Sequence, residues 1–293
     1  MQWETLPSEH DASVNHVLAQ NDGGFIETRY VQRVSSYCIC YLSSHTGCAH
    51  SCRQCHLTAT GQTMMTPVTV EQYISQAKQT LTTYQERLDG GMTPAELLHF
   101  NFMARGEALS NPYFQKHSSL IFQELGKVAD KYQLESKFLV STIFPKDFEG
   151  NLSEILADPR STPYYSLYST NPRFRKRWVP KSWAPEKALD SLAEFQAIHE
   201  RPVVLHWAFI KGENDSIEDV EATLEAVERS GVKARFNLVR YNPHDSRHGV
   251  ESDEAHLTTL FNLIEQRMTI QGSRIVPRVG YDVNASCGMF LER

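Results

Sequence analysis

Gly47-Cys48-Ala49-His50-Ser51-Cys52-Arg53-Gln54-Cys55 places three cysteines in one short loop, spaced C-x3-C-x2-C. Closely spaced cysteines in a chain without a secretory start suggest metal or redox chemistry before disulfides. The loop offers three thiolates and no obvious fourth. An iron–sulfur cubane normally takes four thiolates, so a set of three leaves one iron open to a substrate or cofactor. Two plainer readings compete. The loop can bind zinc with His45, His50 or His56 as fourth ligand, or its cysteines can be unliganded buried thiols.

The surroundings of the loop set the fold. Residues 37–42, just upstream, read as a short apolar strand, so the cysteines follow a strand at its C-terminal end. Further candidate strands lie at 97–103, 137–141, 164–168, 203–209 and 234–239, alternating with amphipathic stretches. In the stretch 69–88, Val70, Tyr73, Ile74, Ala77 and Leu81 share one helical face. The stretch 216–230 opens on a Ser216/Asp219 capping pair and closes at Gly231. Six β–α units in series predict an α/β fold with a parallel sheet and outer helices. The expectation is a partial (β/α)6 barrel over residues 37–293, short of the eight units that close a full barrel. A doubly wound open sheet is the main alternative, and both architectures put their sites at the C-terminal ends of strands. Residues 1–36 differ: 13–19, the turn Asn21-Asp22-Gly23-Gly24, and 25–31 read as a β-hairpin extension.

Composition narrows the class. Hydrophobic residues make up 41% of the 293 and charged residues 22%, which suits a globular protein. No apolar run is long enough to span a bilayer, and the start MQWETLPSEH lacks the basic and apolar regions of a secretory signal. The expectation is a cytoplasmic protein with no membrane association. A net charge of −6 argues against indiscriminate nucleic-acid binding, which needs phosphate neutralisation. One local patch stands apart: Arg173, Arg175, Lys176, Arg177 and Lys181, interleaved with Phe174, Trp178 and Trp183. Cations for phosphates and aromatic faces for unstacked bases suit RNA; the plainer reading is a solvated loop after a strand.

Beyond the cysteine loop, the chain carries Arg105-Gly106-Glu107-Ala108-Leu109-Ser110-Asn111 after the second strand, Ser141-Thr142 after the third, Ser166-Leu167-Tyr168 after the fourth, Tyr241-Asn242-Pro243, and Asn284-Ala285-Ser286-Cys287-Gly288-Met289 near the end. In this order and spacing the chain resembles the radical SAM superfamily, and within it the RlmN/Cfr family of RNA methyltransferases. The resemblance covers roughly residues 13–293. It implies a [4Fe–4S] cluster held by Cys48, Cys52 and Cys55, with S-adenosyl-L-methionine (SAM) on the open iron. Gly106, Glu107, Ser141, Ser166, Leu167, Tyr168 and Asn242 fall on the family's SAM contacts. Cys287 falls on its methyl-carrying cysteine and Glu27 on its proton acceptor. The implied reaction methylates an adenine ring carbon, carbon 2 or 8, in rRNA or tRNA. It calls for a reductase or flavodoxin-type electron donor, and the expected state is a monomer.

The departures are specific. Ala108 stands where the family usually has proline, and Tyr168 replaces a histidine. The family's resolving cysteine falls on Tyr41 counting back from the cluster loop and on Cys40 counting forward from Glu27; a one-residue insertion or β-bulge reconciles the counts. Cys38 and Cys40 share a strand face, and Tyr41 points the other way. Cys40 is the favoured resolving thiol on this reading. Family members usually carry a helical N-terminal domain, whereas this chain starts almost at the hairpin. These departures keep open a second outcome, a radical SAM enzyme of the same scaffold acting on a different or small-molecule substrate.

Overall fold

A computed structural model describes residues 2–292. Among them, ten strands form one sheet in strictly sequential order. β1 (Glu4–Pro7), β2 (Val14–Ala19) and β3 (Phe25–Val34) run antiparallel and join β4 (Tyr37–Tyr41). From there β5 (Leu97–Phe102), β6 (Glu135–Thr142), β7 (Ser161–Tyr165), β8 (Val203–Trp207), β9 (Ala234–Leu238) and the short β10 (Arg274–Ile275) pair in parallel. A doubly wound sheet reverses its strand order at a switch point. This sheet never does, so the architecture is the partial barrel. The N-terminal hairpin lies where expected, gains β1, and continues the barrel sheet through β3.

Eight helices accompany the described strands: α1 (His56–Ala59), α2 (Val70–Asp89), α3 (Pro112–Asp130), α4 (Leu152–Ile155), α5 (Pro172–Trp178), α6 (Pro185–His199), α7 (Ile217–Ser230) and α8 (Glu254–Arg267). Their starts are chemically specified. Thr69 and Gln72 form a reciprocal capping box for α2, and Asn111 caps α3 through the Tyr113 and Phe114 amides. α7 starts on Ser216 and ends at Gly231, as its sequence pattern requires.

Strand alternation divides the side chains between two environments. Phe100 and Phe138 point outward to meet Phe114 and Phe122 of α3, with the Phe122 and Phe138 rings stacked at 4.5 Å. The opposite parity points into the barrel, where Leu139, Tyr164 and Val204 pack as a buried layer against Met103. β7 ends at Tyr165, so Ser166-Leu167-Tyr168 is loop rather than strand. Tyr168 adopts φ +61°, a left-handed conformation incompatible with a ladder. β3 carries a bulge: Val31 faces Ile39, yet Val34 faces Tyr37, so one extra residue sits on β3.

Candidate active site

The C-terminal ends of the parallel strands open into a pocket of about 1300 Å³, counting its mouth. The loop after β4 supplies Cys48, Cys52 and Cys55 to its wall, and the C-terminal segment supplies Cys287. Close backbone packing fixes the cysteine loop. A Cβ on Gly47 would meet the Met64 and Gln62 carbonyl oxygens at 2.2 and 2.5 Å. Gly106 has φ +86°, and a Cβ there would lie 2.5 Å from the His45 ring. Gly106 therefore lets the loop after β5 press against the cysteine loop, where the Ser44 amide donates to the Arg105 carbonyl at 2.7 Å.

Glu107 is thereby aimed into the pocket. Its carboxylate accepts from the Leu109 amide at 3.3 Å and the Ile143 amide at 3.1 Å. Burial raises its pKa to about 7 despite those bonds. Such a carboxyl accepts well from a bound ammonium group. Ser141, Ser166 and Tyr168 line the same pocket. So does His206, which no sequence motif singled out. Its Nε2 meets Ser141 Oγ at 2.8 Å and Ser166 Oγ at 2.9 Å. A histidine in the otherwise apolar run Val203-Val204-Leu205-His206-Trp207, at barrel-facing parity, was the available signal.

The donor set suits a metal cluster. Burial pushes the Cys48 thiol up to about 12, Cys55 to about 11 and Cys52 well above its ordinary value, and mutual repulsion adds to this for Cys48 and Cys52. Buried, crowded thiols give up their protons only when a cation replaces them. The three histidines considered for zinc are engaged elsewhere. The Glu107 amide points at His45 Nδ1, His50 Nε2 meets Ser110 Oγ at 2.9 Å, and His56 Nε2 meets the Asn242 carbonyl at 3.0 Å. Among the described residues, no three His, Cys, Asp or Glu side chains are placed to hold a single metal ion. Three thiols from one short loop lining one pocket suit a cubane, one corner of which that loop would leave open.

Cys287 faces the pocket and is exposed to it. Its backbone is pinned on all sides. Arg29 donates to the Ser286 carbonyl at 3.4 Å and to the Met289 carbonyl at 2.7 Å. Asn242 Nδ2 donates to the Cys287 carbonyl at 2.8 Å, and the His56 amide to the Gly288 carbonyl at 2.9 Å. The residue following Cys55 thus holds the residue following Cys287.

Several expectations change. Cys40 is fully buried on the outward face of β4, with Sγ 3.8 Å from Thr28 Oγ1 under α2, and does not reach the pocket. Tyr41 does, and Arg33 donates to its hydroxyl at 3.3 Å. The extra residue on β3 falls between Val31 and Val34, upstream of Tyr41, and is the kind of one-residue insertion that would reconcile the two counts on Tyr41. Glu27 is fully buried outside the pocket lining, salt-bridged to Arg29 at 2.9 Å and Arg105 at 2.6 Å. Its carboxylate also accepts from Asn15 Nδ2 at 3.2 Å and the Leu291 amide at 3.2 Å. Burial alone would raise its pKa; the two guanidiniums hold it below the usual carboxylate range. Leu167 is buried in the core and Asn242 is spent on the Cys287 segment, so neither lines the pocket. In the 173–183 patch, Phe174, Trp178 and Arg175 are interior, and Arg175 binds four nearby oxygens. Rings buried in this way offer no face to a base.

A sequential partial barrel with a three-thiol loop at its mouth is the architecture of the radical SAM enzymes, whose cofactors are a [4Fe–4S] cluster and SAM. The comparisons agree. The chain is 25% identical over 284 residues to the dual-specificity RNA methyltransferase RlmN of Aliarcobacter butzleri (strain RM4018), covering 94% of this chain and 72% of that protein. It is equally identical over 308 residues to RlmN of Campylobacter curvus (strain 525.92), covering 97% and 76%. Its fold matches a radical SAM methyltransferase from Sphaerobacter thermophilus with a TM-score of 0.75 at 17% identity, over 98% of this chain and 80% of that one. No family model matches the sequence. Within the class, the chain is similar to the RlmN methyltransferases, at 25% identity over most of its length. No helix among the described residues is long and apolar enough to cross a membrane.

Proposed function

We propose that this protein methylates a ring carbon, carbon 2 or 8, of an adenine in RNA, with Cys287 carrying the methyl group. The observation that carries the reading is the convergence of Cys287 with Cys48, Cys52, Cys55 and Glu107 on one pocket. These adenine carbons are electron-poor and resist ordinary nucleophilic methylation; the cluster supplies the electron that cleaves SAM, and SAM supplies the methyl group and the radical chemistry. On this reading Cys48, Cys52 and Cys55 would hold the cluster. Glu107 and the Gly106 loop hold the amino end of SAM, and Ser141, Ser166 and His206 present polar atoms deeper in the pocket. Arg29, Asn242 and the His56 amide fix the Cys287 turn, so its sulfur meets the cofactor without a search. A reductase or flavodoxin-type protein supplies electrons.

One observation favours a second reading. All six cysteines are free; Cys38 and Cys40 are buried under α2, and Tyr41 stands at the resolving position. A covalent base–Cys287 adduct then has no second thiol of this chain to release it. This suits an enzyme of the same scaffold with a different or small-molecule substrate. Anaerobic reconstitution with SAM, dithionite and RNA, followed by intact-protein mass spectrometry and nucleoside digestion, separates the two. Methyl-Cys287 and methyladenosine support the first. SAM cleavage with unmethylated Cys287 and unmodified rRNA and tRNA rules it out in favour of the second.

A further inference from the structure

The cation-rich run that stands apart in the sequence is not used by the Cys287 pocket. Arg173, Lys176 and Arg177 share the outer face of α5, three and four residues apart, while Phe174, Arg175 and Trp178 are buried on the inner face. The rings between the cations are taken up by the protein itself. Trp178 stacks on Phe174 at 5.9 Å. Trp183 stacks on Phe144 at 5.3 Å and on Phe148 at 5.4 Å, with Lys187 Nζ 3.5 Å over its ring. Single-stranded RNA is normally held by phosphate contacts together with stacked bases. Here only the cations remain on offer.

These cations adjoin the cysteine loop. Lys181 Nζ donates to the Ala49 carbonyl at 2.6 Å, one residue from Cys48. The Arg53 amide, one residue from Cys52, donates to the Trp178 carbonyl at 2.9 Å. The Arg53 guanidinium lies 5.5 Å from the Trp178 ring centre and that of Arg177 lies 5.9 Å from it. Lys146 joins the group by donating to the Pro180 carbonyl at 2.9 Å. The loop thus turns its cysteines toward the pocket and its Ala49 carbonyl and Arg53 toward the cations. Lys146, Arg173, Lys176 and Lys181 are exposed, and among the described residues none of them forms an ion pair. Arg177 is paired with Glu213 at 2.7 Å, and Asp147, next to Lys146 in the chain, accepts from Ser110 Oγ. The chain as a whole carries a net charge of −6. A positive area on an acidic molecule steers an acidic partner to that face and away from the rest.

We propose that Arg53, Lys146, Arg173, Lys176 and Lys181 form the docking surface for an acidic one-electron carrier protein that serves the site of Cys48, Cys52 and Cys55. The inference rests on the electron requirement of the proposed function. One electron leaves the carrier, which is oxidised by one, and enters the cluster, which is reduced by one; no atom is transferred and no bond forms between the proteins. Electron transfer weakens steeply with distance, so the entry face is the one nearest the ligands. Successive Cα atoms are about 3.8 Å apart, so a protein resting on Lys181 and Arg53 stands one residue from two of the three cysteines. Redox encounters use small interfaces and are short-lived, which suits long, exposed, charged side chains.

The test compares the full reconstituted chain with the double variant Arg173→Glu/Lys176→Glu, two exposed positions outside the pocket. The probe is an acidic flavodoxin. Thermophoresis gives its affinity across salt concentrations. Release of 5′-deoxyadenosine from SAM gives the rate with reduced flavodoxin and, separately, with dithionite, a small reductant that needs no docking surface. The expected result is flavodoxin affinity weakened about tenfold, with a shallower salt dependence than the parent's. The flavodoxin-driven rate falls with it and the dithionite-driven rate is unchanged. Equal affinity in the two proteins, or no binding of flavodoxin by the parent, overturns the proposal. So does an equal loss of both rates, which marks damage to the cysteine loop. Weakened binding of a labelled single-stranded RNA with flavodoxin binding unchanged gives the surface to nucleic acid and overturns it too. Methyladenosine is read in none of these arms, so its absence counts against the proposed substrate and not against this surface. Lys176→Gln asks the same question should the double variant fail to fold.

Discussion

Replacing Glu27 by Gln tests whether this carboxylate is a clamp or a proton acceptor. The side chain of Glu27 is 0% exposed, and those of its partners Arg29 and Arg105 are 3% and 0% exposed. Glutamine keeps the shape and most hydrogen bonds but removes the charge, leaving two buried guanidiniums uncompensated. Breaking a buried ion pair from one side costs about 3–5 kcal/mol. That is a large share of the ~5–15 kcal/mol that holds a typical domain. The loss concentrates on the Cys287 segment, because Arg29 holds the Ser286 and Met289 carbonyls, Arg105 holds the Leu291 carbonyl, and Glu27 itself accepts from the Leu291 amide. Urea unfolding measures the global loss. Hydrogen exchange at 286–291 reads the local one, and intact mass gives the methyl occupancy of Cys287. The expected outcome is a destabilised protein with faster exchange in that segment and under-methylated Cys287. A variant of parental stability with full Cys287 methylation that accumulates a covalent protein–RNA adduct would refute the clamp and restore Glu27 as the proton acceptor.

Gly106→Ala places a Cβ against the His45 ring at a positive φ, so a loss of about 2 kcal/mol or more by thermal melts is expected, with SAM binding weakened by calorimetry because Glu107 moves. Cys40→Ala removes a buried thiol under α2; it costs about 1–2 kcal/mol and leaves turnover unchanged, whereas a trapped nucleic-acid adduct would show that Cys40 does reach the pocket. His16 sits between Thr5 Oγ1 and Thr83 Oγ1, and burial lowers its pKa to about 4. Between that value and the ordinary 6.5 the unfolded chain binds a proton that the folded one refuses, so stability falls as pH drops through this window. The contribution is about 2 kcal/mol at pH 5; urea midpoints at pH 7 and 5 should differ, and less so in His16→Gln.

Much of the fold was legible in the linear order of residues. Six apolar runs alternating with capped amphipathic stretches specify a parallel α/β sheet, because strand and helix periods are local properties of the chain. The three-cysteine loop announced an open-cornered cluster for the same reason: its ligands lie within one loop, so spacing carries the geometry. The fate of Cys40 and Tyr41 was not settled locally. Which of the two faces the pocket depends on strand parity and on an extra residue in the neighbouring strand, which becomes visible only when β3 and β4 pair. The pairing of Glu27 with Arg29 and Arg105 was equally silent. Their ion network joins β3, the loop after β5 and the C-terminal segment, residues far apart in the chain whose pairing exists only once the barrel has formed.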